Sequence, residues 1–117
     1  MRKRILSMIL ATFMVASLLV GCSGGAGSAN KVGVAMPTKD LQRWNQDGAN
    51  MKEKLEAAGY TVDLQYASND IATQVSQIEN MINSGCKVLV IASIDGDSLG
   101  TVLEQAKEKD IKVIAYD

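Results

Sequence analysis

The sequence predicts an α/β fold, an open parallel sheet with helices on both faces and strand order 2-1-3-4. Strand-like and helix-like stretches alternate along residues 31–117. The strand starts, near residues 31, 60, 87 and 111, are spaced as successive βα units. Val88 to Ala92 (VLVIA) is unbroken and apolar, as a strand buried on both faces of a parallel sheet requires. Right-handed crossovers leave few arrangements for such a chain, and order 2-1-3-4 reverses direction between strands 1 and 3.

Each element has its own signal. Val32 to Met36 is a short apolar run beside Lys31, closed by Pro37. Trp44, Gly48, Met51, Leu55 and Ala58 follow at steps of three and four and predict a helix stopped at Gly59. Tyr60 to Tyr66 alternates, with Val62, Leu64 and Tyr66 on one side, and reads as a strand. Ile71, Val75, Ile78 and Ile82 mark a second helix, starting near Asn69-Asp70 and ending at Gly85. Leu99, Val102, Leu103 and Ala106 mark a third helix, and Ile111 to Tyr116 a fourth strand. The chain stops at Asp117, at the carboxyl end of that strand. A domain rarely ends there, so a truncated lobe is expected.

The amino terminus predicts export. Arg2, Lys3 and Arg4 precede an uncharged apolar run from Ile5 to Val20. That run spans roughly 24 Å as a helix, short of the ~30 Å hydrocarbon core, and reads as a secretory signal. Leu19-Val20-Gly21-Cys22 resembles the lipobox of bacterial lipoproteins, in which the cysteine is lipidated and the peptide is cut before it. The alternative is an ordinary signal with a chance cysteine. Ser23 to Asn30 (SGGAGSAN) is a flexible tether. The expected division is signal peptide 1–21, lipidated cysteine and tether 22–30, and α/β lobe 31–117.

The chain has 12 basic and 13 acidic residues, and three of the basic ones lie in the signal. The remaining part is therefore mildly acidic, which argues against a nucleic-acid partner. Without histidine or a cysteine pair, this stretch offers neither a zinc site nor a histidine-based triad. No phosphate-loop glycine pattern follows strand 1. No cofactor is called for, and the residues point to binding. Cys86, just before an apolar strand, is expected to be a small buried hydrophobe and not a reactive thiol.

Ligands of open parallel sheets bind beyond the carboxyl ends of the strands, near the switch point. This selects Pro37 to Trp44, Ser93 to Asp97, and Asp117. The candidate groups are Lys39, Asp40, Arg43, Trp44, Asp95, Asp97 and Asp117. Arginine and aspartate can hold neighbouring hydroxyls through paired hydrogen bonds, and tryptophan offers a flat apolar face to a pyranose ring. Trp44 could equally pack, Lys39 and Asp40 could be solvated loop charges, and Asp97 is expected to be a helix N-cap. Asp95-Gly96-Asp97 is a weak cation signal that a turn explains.

Three longer stretches carry a resemblance. VGVAMPTKDLQRWNQDGANMKEKLEAAGY, YASNDIATQVSQIENMINSGCKVLVIASIDG and IKVIAYD resemble the N-terminal lobe of periplasmic sugar-binding proteins, in the D-xylose and multiple-sugar receptor branch. The resemblance implies two hinged lobes closing on a monosaccharide such as xylose or a related pentose or hexose. The closed form would be presented to the transmembrane subunits of an ABC permease. A chemoreceptor or sensor kinase is a further partner that the sequence leaves open. By the same resemblance, Arg43 and Trp44 lie at the sugar and Asp117 hydrogen-bonds its hydroxyls. Two other classes compete: a repressor effector domain, which would carry a helix-turn-helix, and an exported α/β enzyme with its catalytic residues outside this stretch.

Overall fold

A computed structural model describes residues 30–116. The expected signal, Cys22, the tether up to residue 29, and Asp117 lie outside the described residues. Strands β1 (Lys31–Met36), β2 (Thr61–Tyr66), β3 (Val88–Ile91) and β4 (Lys112–Ala115) alternate with helices α1 (Gln42–Ala57), α2 (Ile71–Asn83) and α3 (Gly100–Glu108). All pairings are parallel and the order is β2-β1-β3-β4. The order in which strands are added reverses between β1 and β3, as the alternating pattern predicts.

The sheet separates two apolar layers because successive strand residues point to opposite faces. On one face Val32, Val34, Met36, Val90 and Ala92 meet Met51 and Leu55 of α1, with Val62, Leu64 and Tyr66 beside them. On the other, Ala35, Leu89 and Ile91 meet Ile78, Met81 and Ile82 of α2 and Val102 and Ala106 of α3. Gly33 lets α2 approach β1: a Cβ there would come within 2.6 Å of Met81 Sδ and 2.8 Å of Leu89 Cδ2. Cys86 is buried in this second layer, and burial pushes its thiol above the usual range.

All three helices end on one device. A left-handed residue follows the last turn, and the next amide reaches back to close it. Gly59 (φ 96°) and Gly85 (φ 92°) serve α1 and α2, where Tyr60 N–H donates to Leu55 and Cys86 N–H to Met81. Asp110 (φ 57°) serves α3, with Ile111 N–H donating to the Ala106 carbonyl at 2.9 Å. Ile111 thus closes a helix, and β4 is shorter at both ends than the expected run from Ile111 to Tyr116. Among the described residues β4 has a strand neighbour on one side only, and its four residues are exposed, Val113 and Ile114 included.

Two helix starts differ from one another. Asp70 caps α2, its carboxylate accepting the Thr73 N–H at 2.9 Å and the Thr73 hydroxyl. The expected cap by Asp97 is not formed. A 3-10 turn, Asp97–Leu99, precedes α3, so Asp97 lies within that turn while Leu99 takes the N-cap position of α3, and neither start has a side-chain cap. Asp95 instead accepts a hydrogen bond from the Ser98 hydroxyl.

The Asp70 cap gives a pH prediction. The hydrogen bonds from Thr73, side chain first and backbone second, hold the Asp70 carboxyl below the usual carboxylate range. A depressed folded pKa contributes stability that is present above the unfolded pKa of about 4 and is lost as pH falls through the folded value. Asp70→Asn should keep a capping oxygen while flattening part of the acid limb. Asp70→Ala should also lower stability at neutral pH. Urea unfolding of the three proteins between neutral and acid pH measures both effects.

Candidate functional site

The carboxyl ends of β1 and β3 open into two of the segments that the fold rule selects, and the third, Asp117, lies outside the described residues. After β1, Thr38 is 1% exposed and its hydroxyl oxygen accepts the Asp40 N–H at 3.2 Å, tightening the loop into α1. Asn45 pins the same loop from the helix, its Nδ2 donating to the Lys39 carbonyl at 3.3 Å. The chain therefore enters α1 in a fixed direction, with Arg43 and Trp44 in the first turn.

Arg43 and Trp44 form one unit. The guanidinium carbon lies 4.5 Å from the indole ring centroid, a cation–π arrangement. Trp44 is half-buried and packs against the apolar layer under α1. Arg43 Nε lies 3.7 Å from Asp47 Oδ2, one helical turn on. The same Asp47 oxygen accepts the Tyr116 hydroxyl at 3.0 Å. That hydrogen bond, with desolvation behind it, raises the Tyr116 phenol above its usual range. Asp47 thus joins the start of α1 to the exit of β4.

The remaining candidates are spread along the edge. Lys39 is exposed, its Nζ 5.9 Å from the Tyr66 ring centroid at the end of β2. Asp40 is exposed in the same loop. Asp95 stands in the loop after β3 with its carboxylate on Ser98. Asp97 is exposed. Asp117 follows Tyr116 directly and lies outside the described residues. Tyr116 is itself fixed, its N–H donating to the Ile91 carbonyl at 2.9 Å.

Asp47 and Tyr116 were not among the sequence candidates. The i, i+4 spacing of Arg43 and Asp47 was a usable signal for the first. The second depends on the tertiary approach of α1 to β4. Among the described residues, no three His, Cys, Asp or Glu side chains converge as a metal site would need. A small concavity of about 180 Å³ touches Ser93, Gly96 and Ala115 at the strand ends, and a larger groove of about 640 Å³ runs along Leu103, Lys107, Ile111 and Val113. That groove borders the exposed strand β4 and is not where the polar groups gather. The polar edge is an open surface carrying planar donors, carboxylates and an aromatic ring.

The profile of the periplasmic binding protein domain matches residues 32–117. The chain belongs to the periplasmic binding protein domain family. The multiple sugar-binding periplasmic receptor ChvE of Rhizobium radiobacter is 49% identical over 115 residues, covering 98% of this chain and 32% of the receptor. The D-xylose-binding periplasmic protein of Escherichia coli is 41% identical over 109 residues, covering 93% of this chain and 33% of that protein. An ABC transporter solute binding protein from Clostridium phytofermentans, solved with bound β-D-glucose, superposes with a TM-score of 0.73 at 79% identity. That match covers 74% of this chain and 27% of the solved one. This periplasmic binding protein domain spans about a third of the length of the curated relatives it matches.

Proposed function

We propose that this chain is the N-terminal lobe of an exported, lipid-anchored receptor that binds a monosaccharide and delivers it to an ABC permease. One observation carries the reading. Beyond the strand ends, Arg43 is stacked on Trp44 and tied through Asp47 to Tyr116, the neighbour of Asp117. Adjacent sugar hydroxyls each donate and accept, so a planar donor fork facing carboxylates matches them in pairs. Arg43 supplies donors, Asp117 and Asp95 supply acceptors, and Lys39 reaches in from the β2 side. Trp44 holds the Arg43 guanidinium level and offers an apolar edge to the ring C–H groups.

The ligand chemistry is that of a pyranose with free hydroxyls, glucose or xylose. The solved relative with 79% identity holds β-D-glucose, and a curated relative is named for D-xylose. The open, polar edge is one half of a site. A second lobe, in the two-thirds of length that the relatives have beyond the match, would close over it and exclude water. Closure would create the surface that a permease reads. The relatives' names are those of binding proteins, which favours this over an exported α/β enzyme. Calorimetric titration of the two-lobed receptor against a monosaccharide panel tests the reading. Saturable binding of an aldopyranose, returned chemically unchanged, supports it. Binding of no monosaccharide, or turnover of one, contradicts it.

The anchor rests on Leu19-Val20-Gly21-Cys22 and the glycine-rich residues after it. Cys22→Ser should shift the protein from the detergent phase to the aqueous phase on partitioning. Aqueous partitioning of the wild type as well would remove the lipid anchor from the account.

A further inference from the structure

The sheet-facing stripe of α2 contains a polar residue that the sugar chemistry above does not use. Gln74 lies one turn before Ile78, and only 1% of it is exposed. Its Nε2 donates to the Ala92 carbonyl at 2.9 Å, and its Oε1 accepts the Ile94 N–H at 2.9 Å. Both ends of the amide are used, on the backbone to either side of Ser93.

This is the pattern by which a residue of a parallel strand bonds its neighbour, accepting one N–H and donating to the carbonyl two residues earlier. The main-chain ladder between β1 and β3 reaches the Ala92 N–H, which donates to the Ala35 carbonyl at 2.9 Å. Beyond that rung β1 turns away at Pro37, and Ala92 C=O and Ile94 N–H would be left without a strand partner. The Gln74 amide adds the next rung from the helix side. Burying an amide is costly unless both ends are satisfied, and packing alone would be served by an apolar residue. The loop it holds runs through Asp95 to the 3-10 turn.

We infer that Gln74 is a positioning residue for sugar binding, holding the segment 93–96, and Asp95 with it, in the place the ligand needs. The inference rests on the reading of this edge as a sugar site. Gln74 makes no ligand contact itself. It removes alternative loop conformations before binding, so the ordering cost is not taken from the affinity.

The test uses the two-lobed receptor carrying this lobe. Gln74→Met keeps length and burial while removing both hydrogen bonds, and Gln74→Asn keeps the amide but shortens its reach. Ile78→Val, a core change on the same helix, controls for lost stability. Two readouts are taken: hydrogen exchange at the Ile94 amide and glucose affinity by calorimetry. Both Gln74 variants should speed Ile94 exchange by about tenfold or more and weaken glucose binding by at least about fivefold. Ile78→Val should change neither by more than about twofold. Wild-type glucose affinity in a folded Gln74 variant, or unchanged Ile94 exchange, overturns the inference alone. Absence of monosaccharide binding by the wild type overturns the sugar-site reading and this inference with it.

Discussion

Arg43→Ala and Asp117→Ala are each expected to weaken monosaccharide binding by at least about tenfold in the two-lobed receptor. A hydrogen bond to a charged group contributes about 1.5–3 kcal/mol, and about 1.4 kcal/mol is a factor of ten in affinity. The Arg43 side chain is 56% exposed in this lobe, so its removal should leave the fold intact. Its contact with Asp47 at 3.7 Å is a partly exposed pair and contributes little to stability. Lys52→Ala, which breaks the exposed Lys52–Glu56 pair further along α1, is the control and should leave both affinity and stability nearly unchanged. Calorimetric titration with the preferred sugar measures affinity, and urea unfolding measures stability. Near-wild-type affinity in both Arg43→Ala and Asp117→Ala would remove these residues from the site, even if sugar still bound.

The largest effect on stability is expected in the layer between the sheet and α2. Leu89 is fully buried, and Leu89→Ala should cost about 2–5 kcal/mol through lost burial and the cavity left behind. Gly33→Ala should cost about 1–3 kcal/mol by overpacking, because the new methyl meets Met81 Sδ and Leu89 Cδ2 inside van der Waals contact. The two changes are complementary in space. In the double variant the Gly33→Ala methyl enters room that Leu89→Ala has vacated, so the combined loss should fall short of the sum of the two. Chemical denaturation of the four proteins gives the coupling. Strict additivity would show that α2 moves away to accommodate the methyl, and that the close approach at Gly33 is not a constraint.

Much of this architecture is visible in the residues because one physical rule governs each feature. VLVIA is apolar throughout since β3 is covered on both faces, and the glycines that end α1 and α2 stand where the backbone is left-handed. The end of α3 has no such marker. Asp110 takes the left-handed position at a steric cost that aspartate tolerates better than most residues, and the sequence pattern runs on into Ile111. The start of α3 misleads for a related reason. An aspartate before an apolar stripe reads as a cap, but Asp97 is taken up in the 3-10 turn ahead of α3, and the side-chain hydrogen bond at that turn goes to Asp95.

The candidate site divides in the same way. Arg43, Trp44, Lys39 and Asp95 are legible from the rule that strand ends make sites, together with the residue types found there. The long-range contacts that fix them are not. Asp47 meets Tyr116 across 69 residues, and Gln74 meets Ala92 and Ile94 across 18 and 20. Those contacts exist only after α1 and α2 have docked on opposite faces of the sheet. Gln74 stands out in the sequence as an amide on an apolar stripe, but its two backbone partners could not be read from that.

A crystal structure of the two-lobed receptor with its preferred monosaccharide tests the central claim most directly. The sugar should lie at the carboxyl edge of the sheet, with Arg43 and Asp117 within hydrogen-bond distance of its hydroxyls. Asp47 should still bridge Arg43 and Tyr116. A sugar bound in the groove beside α3 and β4, or contacts made without Arg43 and Asp117, would contradict it.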